Sequence, residues 1–301
     1  MNKTEFSKHA SEYLLSVIAT GKSAATRANY EKSIRLFVEN LKPSEQVTHT
    51  AICRWRDKLA ERLRLSTVKQ YMLDLSAYLS WLAAMGYIRE NMIRTDDLPA
   101  VKHNEQIMLT KQEIAALLNY SGTVRYEKNP QKNRAIFAVL MTGGLRSDEL
   151  RSLRVIDLDF EGGKITVKRG KGGKRRIAPF PEQTRKIVKE YLTGAKLAPT
   201  DLVFPGANGQ KLSSVTLNQL VARRTEAIIG KKIHTHTLRH CAASLWADIG
   251  VPIRDVQLAL GHASVRTTEQ IYVHVLNKEQ AASAINQAFK KTVDKTASSE
   301  I

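Results

Sequence analysis

The chain has 301 residues and a mass of 33.7 kDa, and its 47 Lys and Arg against 29 Asp and Glu leave a formal net charge of +18. Hydrophobic residues make up 43% of the chain, which excludes a wholly disordered basic tail. No apolar run approaches the roughly 18 residues of a membrane span, and the N-terminus lacks the apolar segment of a signal peptide. The charge makes a polyanion the leading partner, with nucleic acid ahead of an anionic membrane.

The two cysteines, Cys53 and Cys241, lie far apart in the sequence. Two thiols cannot form a zinc site of four cysteines, and no CxxC pair occurs. We therefore expect a reducing, cytoplasmic compartment in which both thiols are structural.

Residues 1–95 predict a bundle of four helices. Apolar residues recur at helical spacing over about 30–41 and 68–82, with Ser66 as a candidate N-cap, and shorter helices are expected over about 4–19 and 48–63. Residues 96–108 lose this periodicity, contain a proline, and are predicted to be a linker.

Residues 109–291 predict a second domain of mixed structure. A capping-box pattern at Thr110 to Glu113 opens a helix, and after residue 154 the pattern changes to three short antiparallel strands with glycine turns. The other helices are expected over about 131–142, 182–192, 214–229, 236–249, 265–275 and 278–291. The polar tail 292–301 is predicted to be mobile. The fold class is therefore mainly α with a small antiparallel β-sheet.

The positive charge is concentrated in the second domain. Residues 1–100 have 15 basic and 11 acidic side chains, a net of +4, whereas residues 101–301 have 32 and 18, a net of +14. The densest cluster has no acidic residue and consists of Lys164, Lys168, Arg169, Lys171, Lys174, Arg175 and Arg176. Its glycines predict a basic hairpin that contacts phosphates, and a solvated surface is the alternative.

Six side chains in this domain suit phosphate chemistry: Arg146, Lys171, His236, Arg239, His262 and Tyr272. Each alone has an ordinary explanation, such as a surface arginine, an exposed lysine in a turn or a core tyrosine. The two histidines of HTLRH lack nearby acidic ligands and would make a weak zinc site.

Together and in this order, the motifs TGGLRSDEL, RGKGGKRR, HTLRH, LGHASVRTT and IYVHV resemble the tyrosine recombinases of the phage integrase family, which include Xer-type recombinases and Cre. They cover most of residues 105–275, and HxLRH…GH…Y is highly specific. The N-terminal helices resemble the family's SAM-like core-binding domain, with a weaker signature. The resemblance implies a core-binding domain over 1–95 and a catalytic domain over 109–291, which form a C-shaped clamp on DNA.

The resemblance also implies a role for each residue. Tyr272 would attack a scissile phosphate and form a 3′-phosphotyrosine, while Arg146 and Arg239 bind its non-bridging oxygens and Lys171 protonates the leaving 5′-oxygen. The other implied roles are general acid/base for His236 and a phosphate hydrogen bond for His262. Glu149 matches an acidic position of the family and would orient Arg146, and His240 would be a supporting residue. The basic residues expected to contact DNA are Lys168, Arg169, Lys174, Arg175 and Arg176.

Physical chemistry agrees with these roles. A free tyrosine has a pKa of about 10 and needs a base or a cationic site to become a nucleophile. The planar guanidinium of arginine stays charged and can bond two phosphate oxygens at once. Two arginines and a lysine can stabilise the transition state as a metal does elsewhere, so we expect no metal and no cofactor. The phosphotyrosine conserves the energy of the broken bond, so religation needs no ATP.

Two departures from the family pattern occur. The spacing from His262 to Tyr272 is ten residues where many members have nine, and one residue rotates a helix by about 100°. Asp148 occupies a position where serine is common. A purely structural Tyr272 is the alternative to the nucleophile.

The expected partners are duplex DNA with paired inverted-repeat sites and three further copies of the chain. The resemblance implies a homotetramer on DNA that passes through a Holliday junction, with the helix over 278–291 docking on a neighbouring protomer. Accessory DNA-bending proteins or a partner recombinase could join it, no membrane is involved, and the location would be the nucleoid. The alternatives are a type IB topoisomerase-like enzyme and a catalytically inert DNA-binding regulator.

Overall fold

The structure, a computed structural model, describes residues 1–101, 109–119, 129–168 and 175–261. The chain divides into two compact units, residues 1–105 and residues 106–301. No helix within the described ranges is both long enough and apolar enough to cross a membrane.

The described part of the first unit contains four helices, α1 (Lys3–Ala19), α2 (Ala24–Asn40), α3 (His49–Ala60) and α4 (Leu65–Ala84). The side chains of Asn2, Ser23 and Thr48 each accept a hydrogen bond from the backbone N–H three residues later and so begin α1, α2 and α3. The four predicted helices are confirmed. The prediction that Ser66 caps α4 is wrong, because Ser66 lies inside the first turn and Arg64 is the capping position.

One aromatic side chain from each helix builds the core of this unit. Phe6, Phe37, Trp55 and Tyr78 are at most 2% exposed. Phe6 packs edge-on against Phe37 and Tyr78, with ring centroids 5.5 and 4.9 Å apart, and Phe37 packs against Trp55 at 5.3 Å. The Tyr78 hydroxyl donates to the carbonyl of Phe6 at 2.6 Å, so this buried polar group is satisfied. The four helices therefore share one aromatic centre.

The first unit extends beyond residue 95, where the sequence placed the start of a linker. Residues Thr95–Asp97 form a 3₁₀ turn. Leu98 packs against the core of the four helices, and the Asp97 carboxylate contacts His49 at the start of α3. The rest of the linker predicted over 96–108 stays a prediction, since residues 102–108 lie outside the described residues.

The second unit is mixed, as predicted. Its described helices are α5 (Lys111–Leu118), α6 (Pro130–Gly143), α7 (Ser147–Arg151), α8 (Glu182–Ala195), α9 (Ser214–Ile229), α10 (Thr235–Asp248) and α11 (Ile253–Leu260). Its strands are β1 (Leu158–Asp159), β2 (Lys164–Val167) and β3 (Arg176–Pro179). The three strands form one antiparallel sheet in the order β1-β2-β3, with Ile165 opposite both Leu158 and Ala178. The prediction of a mainly α fold with a small antiparallel sheet is confirmed.

Helix α6 is the central element of the second unit. Asn129 caps it, Pro130 occupies its first turn, and every residue from Ala135 to Met141 is fully buried. A helix that is buried on all sides packs against neighbours all round, and α8 and α10 are two of these. The position of its C-terminal end is therefore fixed by the core.

Gly144 ends α6 in the left-handed conformation, with a φ of +59°. A Cβ atom at this position would lie 2.8 Å from Leu260 Cδ2 and 3.0 Å from Trp246 Cη2. Glycine is therefore required here for its backbone conformation and for the close approach of α10 and α11.

Several predicted features lie outside the described residues. They are the tip of the basic hairpin over 169–174, the helices over 265–275 and 278–291, and the tail 292–301.

We expect Gly144→Ala to destabilise the second unit more than Gly230→Ala does. Gly230 ends α9 with a φ of +69°, and a Cβ there would meet no atom within 4 Å. Both substitutions carry the cost of a left-handed alanine, about 1–2 kcal/mol, whereas Gly144→Ala adds an overpacking cost of about 1–3 kcal/mol. Urea unfolding of the full chain measures the difference, and equal losses in the two variants would contradict the packing argument.

Candidate active site

A buried carboxylate lies at the centre of the candidate site. The Glu149 side chain is 2% exposed, and its two oxygens meet three arginines. Oε1 accepts from Arg146 Nη1 at 2.9 Å, Oε2 accepts from Arg176 Nη2 at 2.6 Å, and Arg239 Nη1 lies 3.8 Å from Oε2. Three cationic groups therefore share one counter-ion.

Glu149 is held as the ionised form. Burial raises the pKa of this carboxyl, but the hydrogen bond and charge of Arg176 and the backbone N–H of Arg146 outweigh burial, so that the pKa lies below its usual value. An ionised carboxylate keeps the arginines close together despite their mutual repulsion.

The TGGLRSDEL segment places Arg146 and Glu149 by its local structure. Gly144 ends α6, Leu145 is fully buried, and α7 begins directly afterwards. Glu149 is the third residue of α7, and its Oε2 accepts a hydrogen bond from the Arg146 backbone N–H at 2.7 Å. The turn thereby fixes the backbone of Arg146 and also supplies the counter-ion for its side chain.

The C-terminal end of α11 holds the same three arginines. The last carbonyls of a helix have no partner within the helix. Here Arg146 Nη2 donates to the carbonyl of Gly261 at 2.7 Å, and Arg239 Nη2 donates to that of Leu260 at 2.5 Å. Arg176 Nη1 donates to the carbonyl of Ala259. Each arginine therefore takes one carbonyl at this helix end.

The two arginines expected to bind phosphate differ in exposure. The Arg146 side chain is 27% exposed, whereas that of Arg239 is 3% exposed. Arg239 Nη1 also donates to the carbonyl of Gly144 at 2.5 Å, which joins α10 to the end of α6. Burial, with the charges of Arg146 and Arg176, lowers the pKa of Arg239 to about 9, so the group is charged at neutral pH.

The sequence predicts that Arg176 contacts DNA, but its side chain faces inward. Its side chain is 8% exposed, and it donates to Glu149 and to the carbonyl of Ala259. The reason is strand alternation, because Arg176 lies two residues before the fully buried Ala178 on β3, and the intervening Ile177 is 45% exposed. The period of two along this strand could have identified Arg176 as an inward-facing residue.

Two histidines of HTLRH share one face of α10. The rings of His236 and His240 are edge-on with centroids 4.4 Å apart. Burial, followed by the charges of Arg239 and Arg146, lowers the pKa of His236. Burial, His236 and Arg239 lower the pKa of His240 to about 4. Both rings are therefore neutral at pH 7.

The flanks of the basic hairpin also lie in the described residues. Lys168 Nζ pairs with Asp157 Oδ1 at 2.5 Å, and the Lys168 side chain remains 59% exposed. Arg175 is exposed at the start of β3. Asp157 was not recognised in the sequence as a partner of Lys168, because nothing local distinguishes it from other surface acids.

The other predicted site residues lie outside the described residues. They are Lys171, His262 and Tyr272, together with Arg169 and Lys174. Of the six side chains chosen for phosphate chemistry, the structure brings Arg146 and Arg239 together around Glu149, with His236 on the same helix as Arg239.

Comparison with known proteins identifies the family of the chain. Residues 108–279 match the family described as the phage integrase family. The chain is 29% identical over 265 residues to a tyrosine recombinase of Thermosipho africanus, a match that covers 86% of this chain and 91% of the relative. It is 26% identical over 274 residues to tyrosine recombinase XerC of Corynebacterium glutamicum, with 90% and 88% covered.

A solved structure shows the same fold. The Tn1549 transposon integrase in complex with transposon right end DNA superposes with a TM-score of 0.74 at 20% identity, over 95% of this chain and 99% of that one. Because the family match spans more than half of the sequence, the chain belongs to the phage integrase family and is a tyrosine recombinase, an enzyme of site-specific DNA recombination.

Proposed function

We propose that the chain cleaves and rejoins duplex DNA at paired inverted-repeat sites through a 3′-phosphotyrosine intermediate on Tyr272. The observation that carries the proposal is the arrangement of Arg146 and Arg239 around Glu149. Two guanidinium groups held in place before substrate arrives can stabilise the charge that develops on a phosphate without reorganising during the reaction.

In this mechanism the two arginines bind the non-bridging oxygens of the scissile phosphate. A guanidinium has five N–H donors, and the carbonyl and carboxylate partners among the described residues take two of them in each of Arg146 and Arg239. The partly exposed Arg146 would meet the phosphate first, and Arg239 would support it from the buried side. Arg176 would hold Glu149 and α11 in place without touching the DNA.

His236 would accept the proton of the attacking tyrosine. Its lowered pKa keeps the ring unprotonated at neutral pH, which is the form that a general base requires. A bound phosphate would offset the arginine charges that lower this pKa, so His236 becomes a better proton acceptor when substrate is present. The same ring would return the proton at religation, His262 would hydrogen-bond the phosphate, and His240 would support His236.

Lys171 would protonate the leaving 5′-oxygen from the hairpin between β2 and β3. The exposed side chains of Lys168 and Arg175 flank this segment and would contact the phosphate backbone, as would Arg169 and Lys174. Such contacts predict binding that weakens steeply as salt increases. The proposed chemistry uses no metal or nucleotide.

Recombination would be carried out by four protomers on two sites and would pass through a Holliday junction. The segment 278–291 would dock on a neighbouring protomer, and accessory DNA-bending proteins or a partner recombinase could join the assembly. The two units would close on the DNA as a clamp, and the protein would act at the nucleoid.

We expect Tyr272→Phe to bind DNA with unchanged affinity and to form no covalent adduct, because the variant lacks only the nucleophilic oxygen. The binding site is first selected from random duplexes with the wild-type protein, and the probe is a nicked duplex that carries this site. A covalent adduct is detected on a denaturing gel. An adduct in the variant would show that another residue is the nucleophile.

Strand exchange between two sites by the wild-type protein distinguishes a recombinase from a topoisomerase-like enzyme, which would relax supercoils without exchange.

We expect Lys171→Ala to cleave slowly on normal DNA and to recover on DNA with a 5′-thio leaving group, because a thiolate leaves without a proton. The measurement is the rate of adduct formation on the two substrates. Arg175→Ala is the matched control from the same hairpin, and it should lose affinity without preferring the thio substrate. No recovery in Lys171→Ala would exclude the general-acid role.

We expect Glu149→Gln to lose cleavage activity and about 3–5 kcal/mol of stability at pH 7, because it leaves buried arginines without a counter-ion. The folded-state pKa of Glu149 is lowered, so its contribution to stability is present above the unfolded pKa of about 4.3 and is lost as pH falls through the folded value. The stability difference between wild type and variant should therefore shrink in acid.

Glu182→Gln is the control for this experiment. Glu182 pairs with Lys186 at 2.7 Å, and both side chains are at least 70% exposed. This substitution should change neither cleavage nor the urea midpoint measurably. A stability difference for Glu149→Gln that does not vary with pH would show that the carboxylate acts through packing alone.

A further inference from the structure

A cluster of three potential metal ligands belongs to the first unit, whereas the arginine network belongs to the second. His49 is the first residue of α3, Cys53 follows one turn later on the same helix, and Asp97 belongs to the 3₁₀ turn after α4. His49 Nε2 lies 3.0 Å from Asp97 Oδ1. Cys53 Sγ lies 3.6 Å from His49 Nε2 and 3.7 Å from Asp97 Oδ1. The three ligand atoms therefore form a closed triangle.

The sides of this triangle match those of a tetrahedral zinc site. With Zn–S bonds of about 2.3 Å and Zn–N and Zn–O bonds of about 2.0–2.2 Å, neighbouring ligand atoms at tetrahedral angles lie about 3.3–3.6 Å apart. The distance that departs most from these values is the 3.0 Å between His49 Nε2 and Asp97 Oδ1, and a small rotation of either side chain would lengthen it. The ligand set is therefore close to its metal-binding geometry.

The arrangement does not suit a nucleophilic cysteine. A Cys–His–Asp relay uses the two opposite nitrogens of the ring, one toward the thiol and one toward the carboxylate. Here Nε2 is the nitrogen nearer to Cys53 Sγ, at 3.6 Å against 3.9 Å for Nδ1, and it also contacts Asp97. Three atoms that converge on one point fit a shared ion better than a proton relay.

The surroundings orient the carboxylate. The backbone N–H of Arg94 donates to Asp97 Oδ2 at 2.7 Å. His49 Nε2 lies 3.0 Å from each of the two carboxylate oxygens, and Oδ1 is the oxygen that also contacts the thiol. Arg56 Nη1 donates to the Asp97 carbonyl at 3.2 Å and lies 3.9 Å from Oδ1, so its charge opposes a cation there. Arg56 Nε is paired with Asp57 at 2.8 Å, which offsets part of that charge.

The two cysteines have different environments. Cys241 is 2% exposed in the hydrophobic core of the second unit, where a small apolar side chain would serve equally well. Cys53 instead faces an imidazole and a carboxylate at partial exposure. The sequence predicts that both thiols are structural, and Cys241 fits this as a core residue, whereas packing alone does not explain the polar surroundings of Cys53.

We propose that His49, Cys53 and Asp97 bind one zinc ion, with water as the fourth ligand. Thiolate and imidazole ligands favour zinc over magnesium or calcium, which prefer oxygen ligands. The His49 side chain is 44% exposed, so an ion and its water can reach the site from solvent. The ion joins α3 to the 3₁₀ turn across a sequence separation of 44 residues and so stabilises the end of the first unit, without any part in the phosphate chemistry.

The test is metal titration of the full chain after treatment with a chelator. Cobalt(II) is the spectroscopic probe, and zinc competition gives the affinity. We expect one equivalent of cobalt with the near-ultraviolet band of a thiolate ligand and the visible bands of a four-coordinate site. Cys53→Ser should abolish the thiolate band, and Asp97→Asn should weaken zinc binding at least about tenfold.

Two controls make the result specific. Cys241→Ser should retain the thiolate band, because Cys241 lies in the other unit. His9→Gln should leave zinc affinity unchanged, since His9 pairs with Glu12 at 3.2 Å on α1. Circular dichroism verifies the fold of each variant. The proposal is overturned if the wild type takes up no stoichiometric cobalt, or if Cys53→Ser and wild type give the same spectrum.

Discussion

The arrangement of the candidate active site depends on the ion pairs of the Glu149 carboxylate. Three guanidinium groups lie within 4 Å of it, and without a buried negative charge they would repel one another strongly in so dry an environment. The carboxylate is ionised because those same cations outweigh the effect of its burial. The charge of the acid and the burial of the arginines therefore depend on each other, because either group alone would be an unpaired charge in the protein interior.

Backbone carbonyl groups also hold the arginines of the site in place. The three arginines satisfy the last carbonyls of α11, and Arg239 also bonds the carbonyl of Gly144 at the end of α6. Since Ala135 to Met141 of α6 are buried on all sides, the hydrophobic core positions the end of this helix, and the hydrogen bonds of the arginines join that end to α10 and α11. Packing of apolar side chains therefore sets the geometry of a highly charged site.

The charges also determine the protonation of their neighbours. Burial and the arginines lower the pKa values of His236 and His240, so that both rings are neutral at neutral pH while the three guanidinium groups around Glu149 stay charged. In the proposed mechanism, this distribution of charge would attract a phosphate while the imidazole of His236 stays unprotonated. In the first unit the buried core is built around aromatic side chains, and the polar cluster at His49 lies near the surface.

The sequence by itself determined the helices of the first unit, the antiparallel sheet, the family and the pairing of Arg146 with Glu149. The helices and the sheet rest on the period of apolar residues and on turn glycines, whereas the family and the role of Glu149 beside Arg146 rest on the resemblance carried by the motifs. Only the tertiary structure decided that Arg176 faces inward and that the arginines share the carbonyls of α11. It also decided that Asp97 meets His49 and Cys53, and that the first unit continues past residue 95. The physical reason is that periodicity identifies which face of an element is buried, whereas the partner of that face depends on how distant segments pack together.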